Sequence, residues 1–208
     1  MINHKLEEIA ITDTIQQAVT AYNIPGGWDI KDPNIASFKE EIKEKLLSNQ
    51  GGKCAYCGLP LSTRNPEIDH IAPKGGSKLP RHTECTFLPI NLVYACHHCN
   101  SPACKGKKDT VLSKNGSPNY RQWSFTIVHP YLDDPVEYFE FGGSDNIILL
   151  PKRDADIRMQ QKARCTIEMF ALDSEPVITE IAKQRFLESH PEVIRAIIAE
   201  ISTYKPQL

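Results

Sequence analysis

No stretch of the 208-residue sequence approaches 18 consecutive apolar residues, so it holds no membrane-spanning helix. There is no excess of charge of one sign either. The formal net charge is −2, and the field of the whole chain does not draw it to nucleic acid. The start, MINHKLEEIA, lacks the basic-then-apolar build of a secretion leader. The seven cysteines are an odd number with four of them in Cys-x-x-Cys pairs, which suits a reducing compartment and a bound metal better than a disulfide framework. These absences set the expectation of a cytoplasmic protein. No Gly-x-x-x-x-Gly-Lys-Ser/Thr loop is present, which excludes a P-loop nucleotide site. Neither repeats nor low-complexity tracts occur, and apolar and charged contents are ordinary for a globular chain able to bury a sizeable interior.

What is there concentrates between Cys54 and Asn100. The stretch opens with CAYC (Cys54, Cys57), passes through EIDHIAPKGG (Asp69, His70) and closes with NLVYACHHCN (Asn91, Cys96, Cys99, Asn100). Two thiolates three positions apart can turn inward on one ion, and four satisfy tetrahedral zinc with no position left for chemistry. The zinc expected at Cys54, Cys57, Cys96 and Cys99 is therefore structural. The bland alternative is a chance or redox pair of Cys-x-x-Cys motifs, with a spacer longer than that of a zinc finger. Cys104, five residues past Cys99, could replace one ligand; His82, Cys85, His97 and His98 are weaker metal candidates. Between His70 and Lys114 lie Lys74, Lys78, Arg81, Lys105, Lys107, Lys108 and Lys114 against only Glu84 and Asp109. A phosphodiester would be drawn to such a patch, although a solvated lysine face reads the same way.

Around this stretch the periodicity places mostly helices. Asp13 is a cap for a helix with Ile15, Ala18, Val19 and Tyr22 on one face, ended by Ile24-Pro25-Gly26-Gly27. Asp32-Pro33 starts another, with Ile35, Phe38, Ile42 and Leu46 at helical spacing, stopped by Gly51-Gly52. Residues 67–71 and 88–94 predict two strands, and a short interrupted helix follows from Asn100, a β-β-α order. Beyond Lys114, Trp123, Phe125 and Ile127 alternate, and Tyr138–Phe141 and Ile147–Leu150 suggest further strands. Three helices then follow: one capped by Asp154 with Met159, Ala163, Ile167 and Phe170, one starting at Ser174-x-Pro176, and one after His190-Pro191. The last carries Ile194, Ile197, Ile198 and Ile201, a stripe that either closes the protein's own core or docks a partner.

Asp-His, then Asn, then Cys-x-x-Cys-Asn, inside a Cys-x-x-Cys…Cys-x-x-Cys frame, resembles the HNH endonuclease superfamily, whose ββα-metal fold cleaves phosphodiester bonds. The resemblance implies that His70 is the general base, Asp69 and Asn100 hold a catalytic Mg or Mn ion, and Asn91 orients the histidine loop. The family pattern CNxxKG here reads CNSPACKG, with two residues inserted before Lys105-Gly106. Candidate nucleic-acid contacts are Lys74, Lys78, Lys105, Lys107 and Lys108. The flanks LLSNQGGKCAYCG and HPYLDDPVEYFEF resemble the PtuB-like nucleases of Septu-type and retron-associated anti-phage systems. That branch implies an ABC-type ATPase (PtuA-like) as partner, and in retron systems a reverse transcriptase with its RNA–DNA hybrid.

The chemistry requires those residue types without the resemblance. A neutral imidazole can take a proton from water near pH 7, and a hard divalent ion on two oxygen ligands keeps positions open for phosphate. Neighbours on a strand point to opposite faces, so Asp69 and His70 converge only where the strand ends or bends. The expected fold is α+β: a zinc-stapled ββα-metal (HNH) core at 53–115, an N-terminal helical segment at 1–52, and a C-terminal strand-plus-helix extension at 116–208. The expected function is a metal-dependent endonuclease of anti-phage defence. The alternatives are a restriction or mobile-element HNH nuclease, or a non-catalytic zinc-stapled module that binds nucleic acid.

Overall fold

A computed structural model describes residues 4–62, 64–143 and 146–203, with side chains to residue 200. Among these the fold is mixed α+β, with seven α-helices and six short strands in three two-stranded antiparallel sheets. Helix α1 (Asp13–Thr20) is preceded by Thr12 at its cap position, not by the expected Asp13. The reason is tertiary. The Thr12 backbone N–H and hydroxyl both donate to Glu41 Oε1, at 2.9 and 3.0 Å, which ties the start of α1 to the next helix. Helix α2 (Pro33–Asn49) begins as its sequence dictates, with Asn34 N–H donating to Asp32 Oδ1 at 2.8 Å and proline in the first turn. Its Ile35, Phe38, Ile42 and Leu46 are all buried.

Strand β1 (Glu67–His70) pairs with β2 (Leu92–Ala95) in the register Glu67↔Ala95 to His70↔Leu92. The expected strand over 88–94 starts later because Pro89, lacking an N–H and fixed in φ, opens a 3₁₀ turn at Pro89–Asn91. The outer edge of β2 is covered by a side chain. Gln50 accepts from Tyr94 N–H at 2.7 Å and donates to Tyr94 O at 2.9 Å, and Ala55 N–H reaches the same carbonyl at 3.0 Å. A single turn, α3 (His97–Asn100), follows. In the extension, β3 (Val111–Ser113) pairs with β4 (Ser124–Phe125), and β5 (Phe139–Gly142) with β6 (Ile148–Pro151); a short α4 (Pro135–Tyr138) stands before β5. The Ser144-Asp145 part of the turn between β5 and β6 lies outside the described residues.

Helix α5 (Ile157–Phe170) is capped by Asp156, whose Oδ1 accepts from Arg158 and Met159 N–H, and not by Asp154. Helix α6 (Glu175–Ser189) begins at Ser174 and buries Val177 and Ile181, and α7 (Pro191–Thr203) follows the His190-Pro191 break. Helices α1 and α2, the β1–β2 frame and the extension contribute to one continuous buried cluster that includes Phe38, Leu46, Phe87, Leu92, Tyr131 and Phe170. The α7 stripe is outside it: Ile194, Ile197 and Ile198 are 38%, 47% and 58% exposed, and the side chain of Ile201 lies outside the described residues. No helix among the described residues is long and apolar enough to cross a membrane.

Candidate active site and metal centre

The four cysteines meet. The Gly58 N–H closes the first knuckle onto Cys54 O at 2.9 Å, with Gly58 at φ 67°, a left-handed turn that favours glycine. The second knuckle runs from the end of β2 into α3, where Cys96 N–H donates to Cys54 Sγ at 3.3 Å. All four sulfurs are buried and lie within 4.8 Å of one another, and Cys57 Sγ stands 3.8 Å from Cys96 Sγ. Four thiolates about 2.3 Å from a tetrahedral zinc are about 3.8 Å apart, far more than the roughly 2.05 Å of a disulfide. The cluster thus fits structural zinc in spacing and in donor chemistry. Sulfur neighbours, Cys54 first, push the Cys99 and Cys57 thiols upward and hold the Cys96 thiol down, the mutual opposition of crowded sulfurs that a shared dication would relieve.

Cys104 is not part of that cluster. Its Sγ faces His98 Nε2 at 3.5 Å, and His98 Nε2 also lies 3.2 Å from Phe170 O. His97 is exposed. Cys85 is buried, which pushes its thiol up to about 12, and His82 Nε2 pairs with Asp109 Oδ1 at 3.0 Å. Among the described residues neither joins a metal-ligating group.

On the β1–β2 frame, His70 is the last residue of its strand and only 6% exposed. Its Nε2 lies 3.0 Å from Thr86 O. A carbonyl only accepts, so Nε2 carries the hydrogen and Nδ1 bears the lone pair. Among the described residues the ring's hydrogen bond runs through Nε2, and Nδ1 makes none. The Trp28 ring stands edge-on to the imidazole at 4.7 Å. Burial first, then the charge of Lys74, pull the His70 pKa down to about 3 against the Thr86 hydrogen bond, and Lys105 and Lys39 act the same way. The free imidazole is neutral.

Asp69, also 6% exposed, faces the other side of the strand. Its Oδ2 accepts from the Tyr56 hydroxyl at 2.5 Å and its Oδ1 from the Lys105 ammonium at 2.9 Å. Lys105 Nζ also donates to His70 O at 2.7 Å, so one buried cation links the two adjacent residues. The lysine expected to touch nucleic acid is therefore internal: its side chain is 1% exposed. The two residues inserted before it leave Lys105 N–H bonded to Cys99 O at 3.2 Å, and its ammonium neutralises a carboxylate. Of the other candidate contacts, Lys74 is 3.5 Å from Asp29, and Lys78, Lys107 and Lys108 are exposed. We expect Lys105→Met to lower stability by about 3–5 kcal/mol, the usual effect of stranding one half of a buried ion pair. A denaturation midpoint equal to wild type would show that Asp69 does not need it.

Asn91 is fully buried, and its amide makes four hydrogen bonds, one of them from the Tyr120 hydroxyl to Oδ1 at 2.8 Å. Oδ1 accepts from Ala72 N–H at 2.7 Å, and Nδ2 donates to Ala72 O at 3.1 Å and to Cys85 O at 2.9 Å. The Asn100 amide donates to Glu67 Oε2 at 2.6 Å. Glu67 and Asp69, two apart on β1, share a face, which brings Asn100 to the side of the strand that carries Asp69. Trp28, Lys39, Tyr56 and Glu67 also border the site, although no sequence motif marks them. Tyr56 had one available signal, its place inside the first knuckle.

A two-stranded antiparallel unit followed by a helical turn, stapled by four buried thiols that fit zinc and carrying Asp-His on one strand and Asn before the other, defines a ββα site on a cysteine-clustered frame. No family model matches the chain. The chain is similar to the CRISPR-associated endonuclease Cas9 of Corynebacterium diphtheriae, 41% identical over 54 residues, covering 26% of this chain and 4% of that protein. It is similar to Protein ea31 of Escherichia phage lambda, 30% identical over 97 residues, covering 47% and 27%. It is also similar to Septu protein PtuB of Bacillus mycoides, 27% identical over 167 residues, covering 74% and 54%. The chain thus spans about half the length of the PtuB relative and far less of the other two. These relatives agree with the HNH resemblance and with its Septu-type branch.

Proposed function

We propose that this chain is an HNH-type, metal-dependent endonuclease of anti-phage defence that hydrolyses phosphodiester bonds. The observation that carries the reading is His70: an imidazole held in one tautomer by Thr86 O, with a lone pair on Nδ1, on a backbone loop clamped by Asn91. Nδ1 accepts a proton from water as the water oxygen bonds to phosphorus; the bond from phosphorus to the leaving sugar oxygen breaks, and solvent protonates that oxygen. Lys74 and Lys39 lie close enough to the imidazole to depress its pKa, and that positive field is also what seats an anionic phosphate.

Asp69, Asn100 and the neighbouring Glu67 are hard oxygen donors of the kind Mg or Mn takes, and each Asp69 oxygen has engaged one of its two lone pairs. The bound ion would neutralise charge on the phosphate and the departing oxygen. Lys105 holds Asp69 in place beside His70 by donating to Asp69 Oδ1 and to His70 O. The low exposure of His70 and Asp69 also suits the second reading, a zinc-stapled module that binds nucleic acid without cutting it. The deciding experiment incubates the purified chain, with and without its partner, on plasmid, single-stranded DNA and total RNA with magnesium or manganese. Cleavage of none of them under any condition overturns the nuclease reading.

The partner we propose is an ABC-type ATPase, in retron systems together with the reverse transcriptase and its RNA–DNA hybrid, which is what the resemblance of the flanking segments to PtuB-like nucleases implies. The α7 face that carries exposed Ile194 and Ile197 is the candidate contact. Ile194→Asp combined with Ile197→Asp is expected to leave the chain folded, at a cost of about 1–2 kcal/mol for two half-exposed positions. The same variant is expected to lose co-purification with the ATPase. An intact complex places the contact elsewhere.

A further inference from the structure

A chain of buried hydrogen bonds reaches the His70 loop from the extension. His129 is fully buried, and its Nδ1 accepts from Tyr131 N–H at 3.1 Å and Leu132 N–H at 3.3 Å. Nδ1 therefore has no hydrogen, and Nε2 carries it. Nε2 lies 3.0 Å from the Tyr120 hydroxyl, which must accept there and so directs its own hydrogen outward. That hydrogen goes to Asn91 Oδ1 at 2.8 Å. Every donor and acceptor in the chain is set by the two backbone N–H groups at its far end. The amide orientation of Asn91 follows: oxygen toward Ala72 N–H and Tyr120, nitrogen toward Ala72 O and Cys85 O.

Those contacts tie Asn91 to both backbone segments that hold the imidazole. Ala72 lies two residues beyond His70, and Cys85 directly precedes Thr86, whose carbonyl holds His70 Nε2. The His129 turn is braced in its turn. Asp133 Oδ2 accepts from His129 N–H and Lys162 Nζ, each at 2.6 Å, and Oδ1 accepts from the Tyr138 hydroxyl at 2.8 Å. We propose that Tyr120 and His129 are positioning residues for His70, acting through the amide of Asn91. The inference rests on the nuclease reading for its catalytic meaning but not for its structural content. An apolar packing role would need neither the hydroxyl nor the imidazole, since replacing both partners of a buried pair by apolar groups of the same shape can leave stability nearly unchanged.

Tyr120→Phe removes one oxygen and keeps the ring, and His129→Asn keeps an acceptor near the Nδ1 position while removing Nε2. Each is expected to lower kcat about 10–100-fold at unchanged KM and unchanged zinc content, the scale at which misplacement of a reacting group acts. In an Asn91→Ala background Tyr120→Phe is expected to cost nothing further. Two readouts stand apart from cleavage. Amide exchange at Ala72 is expected to quicken at least about tenfold, and the nitrogen resonances of the His70 ring are expected to lose their single Nε2–H tautomer. If Tyr120→Phe loses its zinc, His129→Asn is read in the same way. Wild-type kcat and Ala72 exchange in both variants, or an equal loss in the Asn91→Ala background, overturns the proposal. A wild-type chain that cleaves nothing overturns the nuclease reading instead, and the Ala72 and His70 signals then decide the positioning role alone.

Discussion

Cys96→Ser is expected to leave the protein unfolded and without metal, whereas Cys104→Ser keeps both fold and metal. The four sulfurs join the loop before β1 to the turn after β2, so an ion held there would close the frame that carries Asp69, His70, Asn91 and Asn100. Structural zinc supplies about 10–16 kcal/mol of apparent binding free energy in small fingers. A whole domain has only about 5–15 kcal/mol of stability, so losing one ligand of four removes a margin the fold needs. The contrast with Cys104 follows from its place beside His98, outside the cluster. Elemental analysis with circular dichroism checks both variants, and wild type should carry about one zinc per chain. Well-folded, metal-free Cys96→Ser or wild-type protein would remove the structural role.

His70→Gln is expected to lose cleavage by about 10²–10⁴-fold, the usual range for a general base, while retaining zinc. Glutamine suits the test better than alanine because the imidazole is buried between Trp28 and Thr86. Alanine would leave a void and an unmet carbonyl, confusing loss of chemistry with loss of structure. The glutamine amide can still donate to Thr86 O but presents no comparable base. Single-turnover cleavage at saturating magnesium, with zinc content measured on the same preparation, decides the matter. Wild-type rates in this variant would assign the proton transfer to another group.

The parts of the molecule legible in the sequence are those whose cause is local. Asp32-Pro33 starts α2 because cap and proline act within two residues, and Ile35, Phe38, Ile42 and Leu46 show their face by spacing alone. The cysteine pairs could be matched because each knuckle is a local turn and four sulfurs have one economical use. Where a partner arrives from afar the reading failed or was silent. Glu41 takes Thr12 from 29 positions away and moves the start of α1. Lys105 reaches Asp69 across 36 positions and becomes an internal counter-charge. Trp28 sits in the turn before α2 and Lys39 within α2, where no motif marks a site, yet the Trp28 ring packs edge-on to His70 and the Lys39 charge acts on its imidazole. His129 and Tyr120 carry no motif that points at Asn91; only the folded chain brings them together.

The Gln50 side chain that lies along β2 has a consequence for assembly. A two-stranded ribbon offers a free rim of backbone groups, the usual template for strand addition by another chain or by a misfolded copy. Here the outward N–H and C=O of Tyr94 are both taken, by the amide of Gln50 with help from Ala55 N–H. One glutamine thus stands in for a third strand and ends the sheet at that point. The ribbon cannot be extended through Tyr94 without first expelling Gln50, so runaway edge-to-edge polymerisation is blocked beside the zinc frame.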